Sequence, residues 1–491
     1  MYSKNRNLFI VFIISFLVLG HIQYGYCDTT QKDTKPNIII IVADDLGWSD
    51  VGYNGAEFYE TPNIDKLAAE GMIFSRFYPS AANCAPSRAC MLTGMYTPRH
   101  QLYTVNGGSR GDVSKMRWKV PTNSQDSTFN TFPISNNNVK PEFESLAEML
   151  KKSGYTSARL GKWHIGDDNQ GFDVVSANGI IGEITNFNGE EKRYYDDSNV
   201  AERLTDLSLD FIDQNKNTPF FLYLSHWEVH TPLVAHQERV DYYKEKLNNS
   251  EKKDFNPVYA AEVEQVDLSV SRILKKLEKL KLENNTVVIF TSDNGGLTTD
   301  NGGLRAVTSN FPLRAGKTTF YEGGIRVPFC IKWPGVTKPG SKNDTPVIGV
   351  DFMPTLAEIA SAELPKKQPV DGVSFLPILK GEQFNKERSI FFHYPLYLRS
   401  GSIGIGVLPT FDGQKNYWHA VPSSTIISGN WKLIYYYEYD RYELFNLKED
   451  ISEQNDLSSQ KPEIETRLLN DLHAWVKDVN APIPTILNDN F

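Results

Sequence analysis

The sequence predicts an α/β protein: a large, doubly wound mixed sheet flanked by helices, then a smaller C-terminal α+β domain with an antiparallel sheet and a terminal helix. Three observations carry this. Several β-branched runs lack alternation, helical periodicities separate them, and the character of the chain changes after about residue 385. At 491 residues, 40% hydrophobic and 23% charged, the chain is long enough for one large core and a second, smaller one.

Asn37 to Val42 is an uninterrupted apolar run, as expected of a strand buried on both faces of a parallel sheet. Pro219 to Leu224 and Thr286 to Thr291 read the same way. Helical patterns lie around them at Asn63 to Glu70, Glu144 to Lys152, Val200 to Asp213 and Val258 to Leu280. Strands alternating with helices predict the doubly wound arrangement. After residue 385, Ile390 to Tyr394, Ser424 to Ser428, Trp431 to Tyr439 and Tyr442 to Leu447 are short aromatic and β-branched strands between turn residues, and a helix from Pro462 to Val479 follows. The domains are therefore residues 28–385 and 386–491. Gln101 to Lys140 and Tyr394 to Pro422 are long, polar, irregular segments of the kind that face substrate or remain disordered.

Residues 1–27 read as a secretory signal peptide. Lys4 and Arg6 precede an apolar run from Leu8 to Leu19, shorter than the roughly 18 or more residues of a membrane-spanning helix. The protein is thus expected to be exported, to the periplasm or beyond, without a stable transmembrane anchor. Cys27 is the alternative lipid-bearing residue, although Tyr24-Gly25-Tyr26 makes a poor lipobox. A formal charge of −9, from 51 Lys+Arg against 60 Asp+Glu, provides no broad basic field for nucleic acid. Any site for an anion must be locally basic. Four cysteines, Cys27, Cys84, Cys90 and Cys330, form neither a disulfide framework nor a zinc pattern.

Two predicted core strands end in paired polar residues: Asp44-Asp45 after the first, Asp293-Asn294 after the run near residue 290. The carboxyl ends of parallel strands are where open α/β sheets bind ligands. Either pair alone is readily explained as a turn-former or helix cap. Two such pairs, all hard oxygen donors, favour Ca²⁺ or Mg²⁺ over zinc. The stretch from Asn83 to Gly94 reads as a helix start, with Pro86 in the first turn and Gly94 closing the end. Cys84 then sits where the helix dipole favours an anion, with Arg88 one turn along on the same face.

That stretch resembles the signature of the formylglycine-dependent (type I) sulfatases, C-x-P-S-R-x-x-x-L-T-G, with Cys84, Pro86, Ser87, Arg88, Leu92, Thr93 and Gly94 at every fixed position. The resemblance extends over nearly the whole mature chain. Asp44, Asp45, Asp293 and Asn294 match the family's metal residues. Gly161 to Gly166, containing Lys162 and His164, resembles its lysine and histidine segment. His230-Thr231-Pro232 resembles its second histidine motif, and Leu313 to Lys317 followed by Glu322 to Arg326 its second lysine block. Ser225-His226-Trp227-Glu228-Val229 departs from the usual pattern, which leaves His226 as a neighbour and candidate substrate contact.

The resemblance implies an alkaline-phosphatase-like fold and a sulfuric ester hydrolase. A maturation enzyme oxidises Cys84 to formylglycine, whose hydrate attacks sulfur beside a bound calcium ion, Mg²⁺ being the other hard cation these donors accept. The implied metal residues are Asp44, Asp45, Cys84, Asp293 and Asn294. Arg88, Lys162 and Lys317 would hold the sulfate oxygens, His164 would act as base, and His230, aided by Lys317, would protonate the leaving oxygen. Export, the polar loops and Tyr394, Tyr397, Tyr417, Trp418 and His419 suggest a sulfated carbohydrate, such as a polysaccharide or its oligosaccharides. The competing readings are a phosphoryl or phosphonate ester hydrolase of the same superfamily and an inactive sulfated-glycan binding protein. Tyr96, Arg99 and His100 either line the site or serve packing.

Overall fold

The computed structural model describes residues 35–105, 111–119, 135–136, 138–166, 169–176, 183–185, 191–193, 197–251, 255–298, 307–384, 387–399 and 418–489. The expected signal peptide, Cys27, Tyr417 and the boundary near residue 385 lie outside them. No helix among the described residues is long and apolar enough to cross a membrane.

Eight strands form the main sheet: β1 (Asn37–Ala43), β2 (Met72–Phe74), β3 (Thr156–Gly161), β4 (Val174–Val175), β5 (Phe220–Ser225), β6 (Thr286–Ser292), β7 (Phe329–Lys332) and β8 (Ser341–Asn343). Their order across the sheet is β8-β2-β7-β6-β1-β5-β3-β4. β1 pairs in parallel with both β5 and β6, while β7 runs antiparallel to its two neighbours. The sheet is therefore mixed, with a parallel centre.

The unbroken apolar sequence of β1 has a direct structural meaning. Ile38, Ile40 and Val42 face one hydrophobic cluster, built with helices α2 (Cys84–Thr93), α3 (Leu146–Lys152) and α7 (Phe352–Ala360). Ile39, Ile41 and Ala43 face a second cluster on the opposite side, built with α1 (Pro62–Glu70), α4 (Val200–Gln214), α5 (Gln237–Asn248) and α6 (Pro257–Lys279). Because both faces are covered, an alternating pattern would place polar side chains in a core. Each fully buried isoleucine contributes roughly 1.5–3 kcal/mol of transfer free energy.

The C-terminal segment forms the antiparallel sheet β9 (Ser389–Tyr394), β10 (Ser423–Ser428), β11 (Trp431–Tyr436) and β12 (Arg441–Asn446), in that order. Helix α8 (Pro462–Asp478) contributes Leu468, Leu472, Trp475 and Val476 to its core. That third cluster also contains Tyr78, Cys90, Tyr321 and Ile348. The small sheet is thus packed against the segment that carries α2, which places it beside the carboxyl ends of the central strands.

Candidate active site

The local structure around Cys84 follows from its sequence. Asn83 has extended backbone geometry, and its side chain accepts from the Cys84 amide at 3.0 Å, starting α2. Gly94 ends the helix at φ 69°, a left-handed conformation that costs glycine little. Between them every residue of α2 is buried. Three oxygen or sulfur atoms, one each from Asp44, Cys84 and Asp293, lie within 4.8 Å of one another. The sheet brings the two strand tips together, because Ala43 of β1 stands opposite Ser292 of β6.

Cations surround this acidic centre. Arg88 is wholly buried: its Nε donates to Asp293 Oδ2 at 2.8 Å, one Nη donates to the Lys162 carbonyl at 2.9 Å, and the same Nη bonds Ser225 Oγ. The Lys162 ammonium pairs with Asp44. Lys317 lies 2.6 and 2.7 Å from the two carboxylate oxygens of Asp45, and Asn294 donates to Asp45 Oδ1 at 2.7 Å. His230 Nε2 is 3.7 Å from Asp45 Oδ2, while its Nδ1 bonds the Thr231 carbonyl. The His164 ring meets Trp227 edge-on at 5.7 Å, and Lys162 lies over the same indole. Gly161, just before Lys162, has φ 94°, and a Cβ there would come within 1.9 Å of the Ser225 carbonyl. Only glycine permits that approach between β3 and β5.

The electrostatics divide the two adjacent aspartates. Burial pushes Asp44 up to about 8, against the pull of Lys162 and with help from the Asp293 and Asp45 charges. Burial would raise Asp45 too, but Lys317, His230 and Lys162 outweigh it and hold that carboxyl below its ordinary range. Burial, then Lys162, lowers both His164 and His230 well below the usual imidazole value, so both rings are neutral near pH 7. Burial raises the Cys84 thiol, Lys162 and Lys317 opposing it.

The donor set fits a hard divalent cation. Among the described residues, Asp44 Oδ1 and Asn294 Oδ1 are buried oxygens without a hydrogen-bond partner, an arrangement that is costly unless a cation satisfies it. Carboxylate and carboxamide oxygens suit Ca²⁺ or Mg²⁺.

All the site residues predicted from sequence therefore converge. Several neighbours do not take part. His226 is fully buried and bonds Ser269 Oγ of α6 at 3.0 Å. Arg99 pairs with Asp371 at 2.7 Å and with Asp478 at 3.0 Å, and Tyr96 donates its amide to Asp371. His100 is buried against Cys90 at 3.3 Å. These three serve packing. Tyr397 and Trp418 are buried and pack against each other with ring centroids 4.9 Å apart and planes tilted by 47°, rather than presenting open faces to a sugar. Glu322 is paired with the buried Lys432 at 3.0 Å. Cys84, Cys90 and Cys330 are free and buried. Sequence reasoning missed Ser225, which receives Arg88, and Ser292, whose hydroxyl accepts from the Leu46 amide at 3.0 Å; a serine ending an apolar run was the available signal.

Residues 36–362 match the family model for sulfatases. The chain belongs to the type I sulfatase family. The sulfatase is 32% identical to a sulfatase of Formosa agariphila, with 92% of this chain and 91% of the relative aligned. It is also 32% identical to N-acetylgalactosamine-6-sulfatase of Mus musculus, over 75% of this chain and 71% of that one. Its fold matches the structure of Ps i-CgsB in complex with k-i-k-neocarrahexaose at a TM-score of 0.70 and 29% identity, covering 91% and 93% of the two chains. The sulfatase is thus an enzyme, a sulfuric ester hydrolase.

Proposed function

We propose that the protein removes sulfate from a sulfated carbohydrate, a polysaccharide or its oligosaccharides, through formylglycine made from Cys84 beside a bound calcium ion. The observation that carries this reading is the convergence of Cys84, Asp44 and Asp293 within 4.8 Å, ringed by Arg88, Lys162 and Lys317. The carbohydrate part is supported by relatives named for N-acetylgalactosamine 6-sulfate and by a structural neighbour holding a neocarrahexaose.

Asp44, Asp45, Asp293, Asn294 and residue 84 would hold the cation, which lowers the pKa of an oxygen at residue 84 and offsets sulfate charge. Hydrated formylglycine supplies two hydroxyls: one attacks sulfur, and loss of the other's proton lets sulfate leave as the aldehyde re-forms. Arg88, Lys162 and Lys317 orient the sulfate oxygens and stabilise the charge that grows on them. His164, neutral and with Nδ1 buried and unpaired among the described residues, takes the proton from the second hydroxyl. His230 commits Nδ1–H to the Thr231 carbonyl, so Nε2 is the nitrogen left to face the leaving oxygen; the neutral ring takes up a proton there as the sulfate anion binds, and passes it on when the ester bond breaks. Asp45 beside Nε2 and the charge of the bound sulfate favour that protonation against burial and the two lysines, and Lys317 shares the role of donor.

The same reading takes residues 1–27 as a signal for export to the periplasm, 28–385 as the catalytic domain and 386–491 as its C-terminal partner, with a formylglycine-generating enzyme as the maturation partner. Intact-protein mass spectrometry tests the nucleophile: active protein should be about 18 Da lighter than the cysteine form. Active protein bearing an unmodified thiol, or full activity in Cys84→Ala, overturns the mechanism. Sulfate release from k-i-k-neocarrahexaose and N-acetylgalactosamine 6-sulfate tests the substrate class. Inertness on sulfated sugars together with turnover of phosphonate esters favours the other hydrolase.

A further inference from the structure

Lys317 sits in a loop with little structure of its own. Ala315 and Thr318 have φ of 59° and 74°, the left-handed region that non-glycine residues occupy at a cost of about 1–2 kcal/mol each. Three bonds from other segments hold the backbone of residues 317 and 318, the Thr318 hydroxyl adds a local one to the Lys317 carbonyl, and Asn310 holds the Ala315 carbonyl at 3.1 Å. The Lys317 amide donates to the Gly296 carbonyl at 3.1 Å, two residues beyond Asn294. The Thr318 amide donates to Ala82 at 2.7 Å, two residues before Cys84. The third tie comes from the C-terminal segment, where His419 Nε2 lies 2.9 Å from the Lys317 carbonyl oxygen.

We propose that His419 is a positioning residue for catalysis: through Nε2–H it fixes the Lys317 backbone, and so the direction of the Lys317 ammonium toward Asp45 and the sulfate. The chemistry of the pair fixes the tautomer, since a carbonyl oxygen only accepts and Nε2 must carry the proton. The histidine is itself firmly seated. It is buried, its amide donates to Leu398 at 2.9 Å, and Leu398 and Ala420 exchange bonds at 2.8 and 3.1 Å on its far side. The preceding Trp418 is wedged against Tyr397. The small C-terminal module thereby contributes to the anion site through a residue more than 100 positions from the lysine it steers. A one-ångström error in a charged group at the reacting centre costs far more than the bond itself.

This inference rests on the catalytic assignment of Lys317. The test compares His419→Leu, His419→Gln and Lys317→Ala by turnover of 4-nitrocatechol sulfate, competitive inhibition by inorganic sulfate, and thermal midpoint. Glutamine can place an N–H where Nε2 stood; leucine cannot. We expect His419→Leu to lower kcat/KM about tenfold or more and to weaken inhibition by sulfate, with a midpoint within about 3 °C of the parent. His419→Gln should recover to within about threefold of the parent. An unimpaired His419→Leu beside an inactive Lys317→Ala overturns this inference alone. So does a glutamine variant as damaged as the leucine one at unchanged midpoint. A fully active Lys317→Ala overturns the assignment of Lys317 and this inference with it.

Discussion

The Nε of Arg88 donates to Oδ2 of Asp293 at 2.8 Å, and its Nη2 lies 2.6 Å from the same oxygen, with both side chains wholly sealed from solvent. This pair ties the second turn of α2 to the tip of β6. Burial lowers the guanidinium's proton affinity, but Asp293 more than restores it. Removing one member of a buried pair leaves the other uncompensated, which typically costs about 3–5 kcal/mol. Arg88→Ala is therefore expected to lose that much stability in urea denaturation and to lose activity with it. Arg88→Lys should keep most of the stability but not the activity, because an ammonium cannot address Asp293, the Lys162 carbonyl and Ser225 together.

Chelation provides a second test. Two buried oxygens, Asp44 Oδ1 and Asn294 Oδ1, are available to a cation, and three acidic side chains share the site. A ligand present at 100 times its dissociation constant stabilises by about 2.7 kcal/mol. EDTA should lower the thermal midpoint and abolish turnover, and added Ca²⁺ should restore both. In Asn294→Ala the midpoint should respond only at higher Ca²⁺ concentration, seen as a rightward shift in a calcium titration of the midpoint.

How much of this was legible in the sequence depends on where each signal resides. β1, β5 and β6 announce themselves because burial on both faces demands unbroken apolar runs. β3 does not: Thr156-Ser157-Ala158-Arg159-Leu160-Gly161 carries an arginine and two hydroxyls, although Ser157 and Arg159 are buried. β2 and β8 have three residues each, too few to show a period. α7, Phe352–Ala360, is buried at eight of nine positions, so its apolar residues mark no face. The clustering around Cys84 was readable because its members lie in locally recognisable stretches at strand and helix ends. The His419 to Lys317 bond was not, since a side chain meeting a distant carbonyl leaves no local pattern.

Acid should weaken the fold through two histidines outside the catalytic centre. His100 and His393 are buried, and burial pushes each down to about 3. Both act as neutral rings. His100 Nδ1 accepts from the Leu102 amide at 3.1 Å, and His393 bonds Ser424 Oγ at 2.8 Å and the Pro482 carbonyl at 3.1 Å. The unfolded chain takes up protons below about pH 6.5, whereas the native state resists until about pH 3, so stability is complete above 6.5 and falls as pH drops through that window. At pH 5 each ring should cost about 2 kcal/mol relative to pH 7. Urea titrations at the two pH values check this. His100→Asn and His393→Gln, which keep one hydrogen bond each without a titrating ring, should flatten the dependence.

The assignment of His230 as proton donor predicts a dependence on the leaving group. A nitrocatechol departs as a stabilised phenolate and needs little help, whereas a sugar hydroxyl, with a pKa far above neutral, must be protonated as its bond to sulfur breaks. General acid catalysis contributes about 10²–10⁴-fold when the leaving group requires it. His230→Gln should therefore lower kcat on a sulfated sugar by about that factor while slowing 4-nitrocatechol sulfate less than tenfold. His164, assigned to the later release of sulfate, should behave differently: His164→Gln should depress both substrates to a common rate, because release follows departure of the alcohol and no longer depends on its identity. Equal losses on both substrates in His230→Gln would reassign the donor to Lys317, whose ammonium lies beside the same Asp45 carboxylate.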